Sequence, residues 1–191
     1  MPITRCSFGR VAGFCGALAL FWCFGCGRAE TGAAGKAPET PKTITVEPVA
    51  TPANLKPGLK LTTFPNNKFT GPGETTEETT TVGFPCDSNA YKDKEVSLRY
   101  QGYLRVDKDG TYVFRITSDD QCKLKLGSMI IVDNEDATRT KEGSAKLRAG
   151  LYPLVIDYQN NVGLACLDVT WTSESTGAGW APVSAAQLLH D

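Results

Sequence analysis

Two pairs of neighbouring polar residues are the best candidates for chemistry in this sequence. Asp119 and Asp120 are adjacent acids in a Ser-Asp-Asp turn, and Asn160 and Asn161 follow a later run of alternating apolar residues. Two adjacent carboxylates repel each other unless a cation, hydrogen-bond donors or water offset their charge. The acid pair therefore indicates a site for a hard cation or a polyol. The alternative is a solvated acidic turn, because loops are normally polar.

The elements that must position these loops are β-strands. Apolar residues alternate with polar ones in four runs, and this period of two predicts strands with one buried face. The runs are Val96–Val106, Tyr112–Ile116, Cys122–Leu126 and Tyr152–Tyr158. Short turns connect them and no helical period is sustained, so we predict an all-β fold, an antiparallel sandwich or barrel.

Loops at one end of an antiparallel sheet lie close together, which would bring the acid pair near the Asn160 loop. Carboxylate, amide and backbone carbonyl oxygens are the hard ligands that Ca²⁺ prefers. The acid pair and the Asn160-Asn161 loop therefore carry oxygen ligands that are suited to Ca²⁺.

Two segments between the predicted strands contain few apolar residues. Glu74–Thr81 (ETTEETTT) is predicted to be mobile surface, and Asn134–Gly143 is predicted to be a charged loop before a short strand, Ala145–Leu147. Neither segment offers side chains that would anchor it to a core.

The beginning of the chain has the features of a processing segment. Residues 1–25 combine two arginines with an apolar, small-residue stretch, which is typical of a signal peptide. The following Cys26 indicates either lipidation, as in a bacterial lipoprotein, or simple cleavage near Cys26–Ala29. We predict a Pro/Ala/Thr-rich linker over residues 26–54 and one β domain over residues 55–191. The protein is thus expected to be exported, either as a cell-envelope lipoprotein, which a lipid on Cys26 would tether to a membrane, or as a secreted or periplasmic protein.

Charge and residue types argue against several classes of function. The formal charge is −1, and without residues 1–25 it is −3, because 18 of 20 basic residues remain against 21 acids. No basic patch is present, so nucleic acid is not an expected partner.

Glycoside hydrolysis needs two carboxylates on opposite sides of the sugar, which adjacent acids cannot provide. His190, the chain's one histidine, lies at the end of the sequence, so no Ser-His-Asp arrangement is expected and the chain is predicted not to be an enzyme.

Three cysteines lie in the predicted domain: Cys86, Cys122 and Cys166. Export favours a disulfide, but the odd number leaves one thiol over. The alternating pattern places Cys122 and Cys166 on strands. Cys86 lies in a loop that can reach either of them, so a disulfide that involves Cys86 is favoured. The domain has no CxxC motif, which argues against zinc.

The order of these motifs resembles the protective-antigen (PA14) domain family. The resemblance covers about Pro57 to His190 and rests on three segments with their order and spacing. They are YQGYLRVDKDGTYVFRITSDD (Tyr100–Asp120), LRAGLYPLVIDYQN (Leu147–Asn160) and ACLDVTW (Ala165–Trp171). The resemblance implies a jelly-roll-like sandwich.

The family includes fungal flocculins and epithelial adhesins, in which an Asp-Asp pair and a later Asn hold a Ca²⁺ that binds sugar hydroxyls. By position, the resemblance implies these roles for Asp119, Asp120 and Asn160, with the backbone carbonyls of Val162 and Leu164 completing the ligand set. The adhesin loop has Trp where this chain has Leu164. The predicted function is an exported, non-catalytic module that binds a glycan or polysaccharide on a cell surface. The alternative is a structural or protein-binding β module, with Tyr103, Val113 and Trp180 as an exposed patch.

Overall fold

A computed structural model describes residues 42–191 except 74, 136–138 and 176. In this part of the chain the regular structure consists of β-strands and one short 3₁₀ turn, Ala185–Gln187. The strands are β1 (Ile44–Thr45), β2 (Lys56–Pro57), β3 (Leu59–Phe64), β4 (Thr75–Thr79), β5 (Gly83–Phe84), β6 (Val96–Val106), β7 (Gly110–Asp119), β8 (Gln121–Leu126), β9 (Met129–Asn134), β10 (Arg139–Leu147), β11 (Gly150–Asn160), β12 (Cys166–Ser173), β13 (Ala178–Pro182) and β14 (Leu188–His190). The all-β prediction is confirmed.

The strands form two sheets that are antiparallel apart from one edge. One sheet has the order β1-β10-β7-β12-β13, with β5 also paired to β12, and β1 runs parallel to β10. The other sheet has the order β2-β14-β6-β11-β8-β9, with β3 paired to β6 and β4 paired to β3. Because β7 and β8 belong to different sheets, the chain crosses between the sheets at Asp119 and Asp120.

One hydrophobic core fills the space between the sheets, because each long strand turns its alternate apolar residues inward. The largest fully buried side chains are Tyr112, Tyr152, Tyr158, Phe114, Leu59, Leu98, Leu104, Ile116, Leu124, Leu126, Leu147 and Ile156. These residues are the inward positions of the four predicted runs, together with residues of β3 and β10. The alternation that predicted the strands therefore also identifies most of the core.

Two glycines allow close approach of neighbouring backbones. A Cβ atom at Gly143 of β10 would overlap the carbonyl oxygen of Ile131 in β9, and one at Gly102 of β6 would overlap the carbonyl of Leu189 in β14. Gly143 thus allows the edges of the two sheets to meet where β9 passes β10.

The folded part begins before the predicted domain boundary. Residues 26–54 were predicted to be a linker, but Ile44 and Thr45 pair with β10, Val46 is buried in the core, and Val49 bridges Leu151. The apolar residues of this short segment cover the open edge of β10, so the linker prediction is wrong from about Ile44 onward. The predicted signal peptide and Cys26 lie outside the described residues.

Two predicted loops contain strands. Residues 75–79, within the segment expected to be mobile, form β4, which pairs residue by residue with β3. Strand β10 begins at Arg139 and pairs with residues 110–118 of β7, so it is much longer than the predicted Ala145–Leu147 strand. Strand β4 and the part of β10 before Ala145 form through backbone pairing with neighbouring strands and not through buried apolar side chains of their own. None of the described residues belongs to a helix with the length and apolarity needed to cross a membrane.

Candidate functional site

The acid pair lies at the point where the chain crosses from one sheet to the other. Asp119 ends β7 and Asp120 precedes β8, and a cis peptide bond joins them. Asp119 is half-buried, whereas Asp120 is 9% exposed. The two carboxylates therefore sit at one end of the sandwich, on a backbone that is fixed by strands on both sides.

A hydrogen bond connects the acid pair to the loop that follows β11. The backbone N–H of Asn161 donates to Asp120 Oδ2 over 2.7 Å. The structure thus brings together the two loops that sequence spacing places at the same end of the sheets. Asp120 accepts from the amide-bearing loop, so it is not the fully solvated acid of the alternative interpretation.

Asn160 is fully buried, and its carboxamide orientation is fixed. Its Nδ2 donates to the carbonyl oxygens of Tyr91, over 3.2 Å, and Lys94, over 2.8 Å. The Tyr158 hydroxyl donates to the carbonyl oxygen of Asp119 and lies 3.4 Å from Asn160 Oδ1. The amide nitrogen therefore faces the loop before β6, and the amide oxygen faces the Tyr158 hydroxyl, which in turn bonds the Asp119 backbone carbonyl.

The Tyr158 hydroxyl remains a donor at neutral and moderately alkaline pH. Burial raises the pKa of Tyr158, and the nearby carboxylates of Asp120 and Asp119 raise it further, while a backbone hydrogen bond at Cys166 lowers it in part. Since the pKa shift is upward overall, the proton that bonds the Asp119 carbonyl stays on the oxygen.

The loop after β11 presents its two apolar side chains to solvent. Val162 and Leu164 are 65% and 59% exposed, and Gly163 between them has φ +108°. The carbonyl of Gly163 accepts from the N–H of Asp93 over 2.7 Å, so this carbonyl is already used. The predicted ligand carbonyls are those on either side of it, at Val162 and Leu164.

A shallow cavity of about 230 Å³ adjoins Asp119. Its wall is mainly apolar and includes Leu164 and the disulfide between Cys86 and Cys166, with Thr117 and Thr140 contributing hydroxyls. A carboxylate at the edge of a small apolar hollow suits a ligand that has both hydroxyls and a carbon-bound face.

Asn67 is a residue of this region that the sequence analysis missed. Its Nδ2 donates to Asn161 Oδ1 over 2.7 Å, and its carbonyl accepts from the side-chain nitrogen of Gln159. A signal was present in the sequence, because Asn67 closely follows β3 just as Asn160 closes β11. Since β3 and β11 both pair antiparallel with β6, their ends lie on the same side of the sheet.

The structure pairs Cys86 with Cys166 and leaves Cys122 as a buried thiol. Cys166 is the register partner of Asp119 across β12 and β7, so the disulfide lies beside the acid pair. Cys122 points into the core with Leu124, where burial raises the pKa of its thiol.

The donor types at this end of the sandwich suit Ca²⁺, which takes six to eight oxygen ligands. Asp119 and Asp120 contribute two carboxylates, and the loop after β11, which bonds to Asp120, contributes amide and backbone oxygens. Within the described part of the chain, no group of three or more His, Cys, Asp and Glu side chains is arranged to hold a metal. A cation here would thus depend on amide and backbone oxygens in addition to the two acids.

The residues of the predicted protein-binding patch do not lie together. Tyr103 belongs to β6, whereas Val113 and Trp180 belong to β7 and β13 of the other sheet. The Arg115 guanidinium also lies over the Trp180 ring, 3.7 Å from its centre. The predicted single patch is therefore wrong.

Comparison with family models gives a match to the PA14 domain over residues 55–179. The chain belongs to the PA14 domain family. The match begins after β1, so in this PA14 domain the first strand lies outside the region that the family model covers. Comparison with curated protein sequences gives no match.

Solved structures share the PA14 fold with this chain. The PA14 sugar-binding domain from an RTX adhesin has a TM-score of 0.59 at 14% identity, covering 71% of this chain and 99% of that one. Epithelial adhesin 9 A domain from Candida glabrata, in complex with Galb1-4GlcNAc, has a TM-score of 0.63 at 12% identity, covering 78% and 96%. An anti-sigma factor domain-containing protein has a TM-score of 0.62 at 21% identity. The alignment covers 71% of this chain and 48% of that one. At these identities the likeness shows the fold alone.

Proposed function

We propose that this PA14 domain is an exported, non-catalytic module that binds a glycan at the Asp119–Asp120 end of the sandwich, with Ca²⁺ assisting. The observation that carries the proposal is the 2.7 Å hydrogen bond from Asn161 N–H to Asp120, which holds the oxygen-bearing loops together. Two similar folds are described as a sugar-binding domain and as an adhesin in complex with Galb1-4GlcNAc. These descriptions support a glycan as the class of ligand.

The chain's own residues would hold and orient both groups. Asp119, Asp120 and the Asn160 amide oxygen would bind the cation, with the carbonyls of Val162 and Leu164 completing the set. When bound, Ca²⁺ supplies a positive centre that attracts vicinal hydroxyls of a sugar. The half-buried Asp119 carboxylate accepts a hydrogen bond from a hydroxyl, and the apolar hollow beside it contacts the sugar ring.

Binding without catalysis is favoured by the spacing of the acids. Asp119 and Asp120 are consecutive residues on one side of the site, so they cannot act from opposite faces of a glycosidic bond. Because the two carboxylates are adjacent, they are instead suited to bind one cation together.

Calorimetry with a glycan panel that includes β-lactose and Galβ1-4GlcNAc, with Ca²⁺ and with a chelator, tests the proposal. The wild-type protein is expected to bind at least one glycan, and chelation is expected to weaken binding at least tenfold. Asp119→Asn and Asp120→Asn are expected to do the same. Asp107→Asn is the matched control, because Asp107 is an exposed acid in the turn before β7, at the opposite end of that strand from Asp119. Absence of binding to every glycan would refute the proposal.

We further propose that the chain is exported and that Cys26 is its lipidation site. The support is the sequence of residues 1–26 alone. Mass spectrometry of the protein from membranes of the producing cell would show a diacylglycerol adduct on Cys26, and a mature chain without the adduct would leave a secreted or periplasmic protein.

A further inference from the structure

We propose that the segment from Cys86 to Lys94 is a clamp that positions the glycan site, with the Cys86–Cys166 disulfide fixing one end of it. The clamp is defined by these residues, and its functional consequence rests on the proposed function. Under this proposal, the disulfide and Asp93 position the site, and this role can be separated from their contribution to overall stability.

The disulfide fixes the first end of the clamp beside the acid pair. Cys166 is the first residue of β12 and pairs across to Asp119, so Cys86 is joined covalently to a residue that neighbours the proposed ligands. Cys86 itself precedes a stretch without regular strands that runs to Val96. Without the covalent bond, this stretch would have a much larger set of conformations.

The other end of the clamp makes three hydrogen bonds to the site loop. The carbonyls of Tyr91 and Lys94 accept from Asn160 Nδ2, and the N–H of Asp93 donates to the carbonyl of Gly163. These bonds determine which way the Asn160 amide oxygen points and hold the turn between Val162 and Leu164. The clamp therefore sets the direction of three of the proposed oxygen ligands without providing any ligand itself.

The backbone of the clamp needs outside support. Asn89, Tyr91 and Asp93 have φ values of 54°, 57° and 56°, in the left-handed region that side-chain-bearing residues seldom adopt. Three such residues within five positions persist only where neighbouring structure fixes them. The support comes from the disulfide, from the Asn160 amide and from the edge-to-face contact of the Tyr91 ring with Phe84, whose centres lie 5.3 Å apart.

Release of the clamp should therefore loosen the site before it unfolds the domain. Asn160 is fully buried, so its Nδ2 cannot exchange its two carbonyl partners for water without movement of the loop. The expected result is a more open loop after β11 and a weaker bond between Asn161 N–H and Asp120.

Three variants of the full chain test this. Cys86→Ser/Cys166→Ser removes the covalent end of the clamp. Asp93→Pro keeps the disulfide but removes the N–H donor and forbids positive φ, whereas Asp93→Gly keeps both the donor and the φ value. The two Asp93 variants lose the same carboxylate, so their difference isolates the backbone contact.

Hydrogen exchange measured by mass spectrometry or NMR, well below the unfolding temperature, is the first readout. Exchange of the Asn161 amide is expected to accelerate at least tenfold in the double serine variant and in Asp93→Pro, and to remain within twofold of wild type in Asp93→Gly. Amides in the centre of β11, such as Ile156, report any general loss of stability. Unchanged Asn161 exchange in the first two variants, or an equal acceleration at Ile156, would overturn the inference.

Titration with CaCl₂ by calorimetry is the second readout. The two loosened variants are expected to bind Ca²⁺ at least tenfold more weakly than wild type and Asp93→Gly. If wild-type protein binds neither Ca²⁺ nor any glycan while exchange responds as expected, the proposed function fails, and what stands is that the clamp holds the loop after β11. If Ca²⁺ binds equally well in all four proteins, the clamp has no role in the site.

Discussion

Tyr158 and Tyr152 offer a matched pair for testing whether the Asp119 backbone is held by a side chain. Both rings are fully buried inward positions of β11, and each hydroxyl donates to a backbone carbonyl. Tyr158 donates to Asp119 at the candidate site, and Tyr152 donates to Arg148 over 2.8 Å at the other end of the strand. Phe at either position removes the hydroxyl and keeps the ring.

The expected loss of stability is larger for Tyr158→Phe than for Tyr152→Phe. A hydrogen bond of this kind contributes about 1 kcal/mol net, and an unsatisfied buried carbonyl costs about 1–3 kcal/mol. We expect Tyr158→Phe to lower the free energy of unfolding by about 2 kcal/mol, because Asp119 is half-buried and water replaces the hydroxyl less readily there. For Tyr152→Phe we expect about 1 kcal/mol, because Arg148 lies in an exposed turn where water can replace the hydroxyl. Urea unfolding measures both values.

Amide exchange of Asn161 and the affinity for Ca²⁺ should distinguish the two variants. Tyr158→Phe releases the Asp119 carbonyl and the contact with Asn160 Oδ1, so Asn161 amide exchange is expected to rise and Ca²⁺ affinity to fall about tenfold, which corresponds to about 1.4 kcal/mol. Tyr152→Phe should leave both quantities unchanged. An equal effect of the two variants on Asn161 exchange would refute the idea that Tyr158 organises the site.

Three further predictions concern the core, the free thiol and the site wall. Gly143→Ala should lower the free energy of unfolding by about 3 kcal/mol, measured by thermal or urea unfolding, because the new methyl group would overlap the Ile131 carbonyl. Cys122 should resist alkylation in the native protein at pH 8, and it should react after unfolding without reductant while Cys86 and Cys166 stay protected by their disulfide. Burial raises the pKa of Cys122 from an ordinary 9.0, so the stability that the protonated thiol contributes is complete below pH 9.0 and is lost as pH rises further. The pH dependence of the free energy of unfolding, compared between wild type and Cys122→Ala, measures this loss. Asn67→Ala should weaken glycan affinity about fivefold, measured by calorimetry, through loss of its hydrogen bond to the Asn161 side chain, while Ca²⁺ affinity stays unchanged. Equal glycan affinity in Asn67→Ala and wild type would exclude Asn67 from the ligand contact.

The strands that carry a strong alternating pattern were predictable because burial of one face determines their sequence. Strands β6, β7, β8 and β11 have this pattern, and they hold most of the core. Strand β4 has no such pattern because it lies at an edge and is defined by backbone pairing with β3. Strand β1 is too short for any period to be visible, although its neighbour Val46 is buried.

The site was partly predictable for a related reason. The acid pair and Asn160 have distinctive residue types at strand ends, and connectivity suggested that their loops would cluster. The contributions of Asn67 and Asp93 depend on which strand ends are adjacent in the folded sheet, and those of Tyr91 and Lys94 come from backbone atoms that carry no residue-type signal. The disulfide partner likewise depends on the pairing of β12 with β7, which places Cys166 beside Asp119.

The composition of β4 has a consequence for contacts between copies of this domain. Its outer edge offers unpaired backbone groups to any other strand, which is a usual starting point for edge-to-edge aggregation. The consecutive acids Glu77 and Glu78 are exposed and point to opposite faces of the strand, and Glu78 lies 3.8 Å from the Lys56 ammonium, so a second copy of this edge would have to accommodate charged side chains on both faces of the new pairing. The segment without apolar residues thus acts as a barrier to self-association, and neutral residues at these two positions would make the domain prone to form strand-paired assemblies.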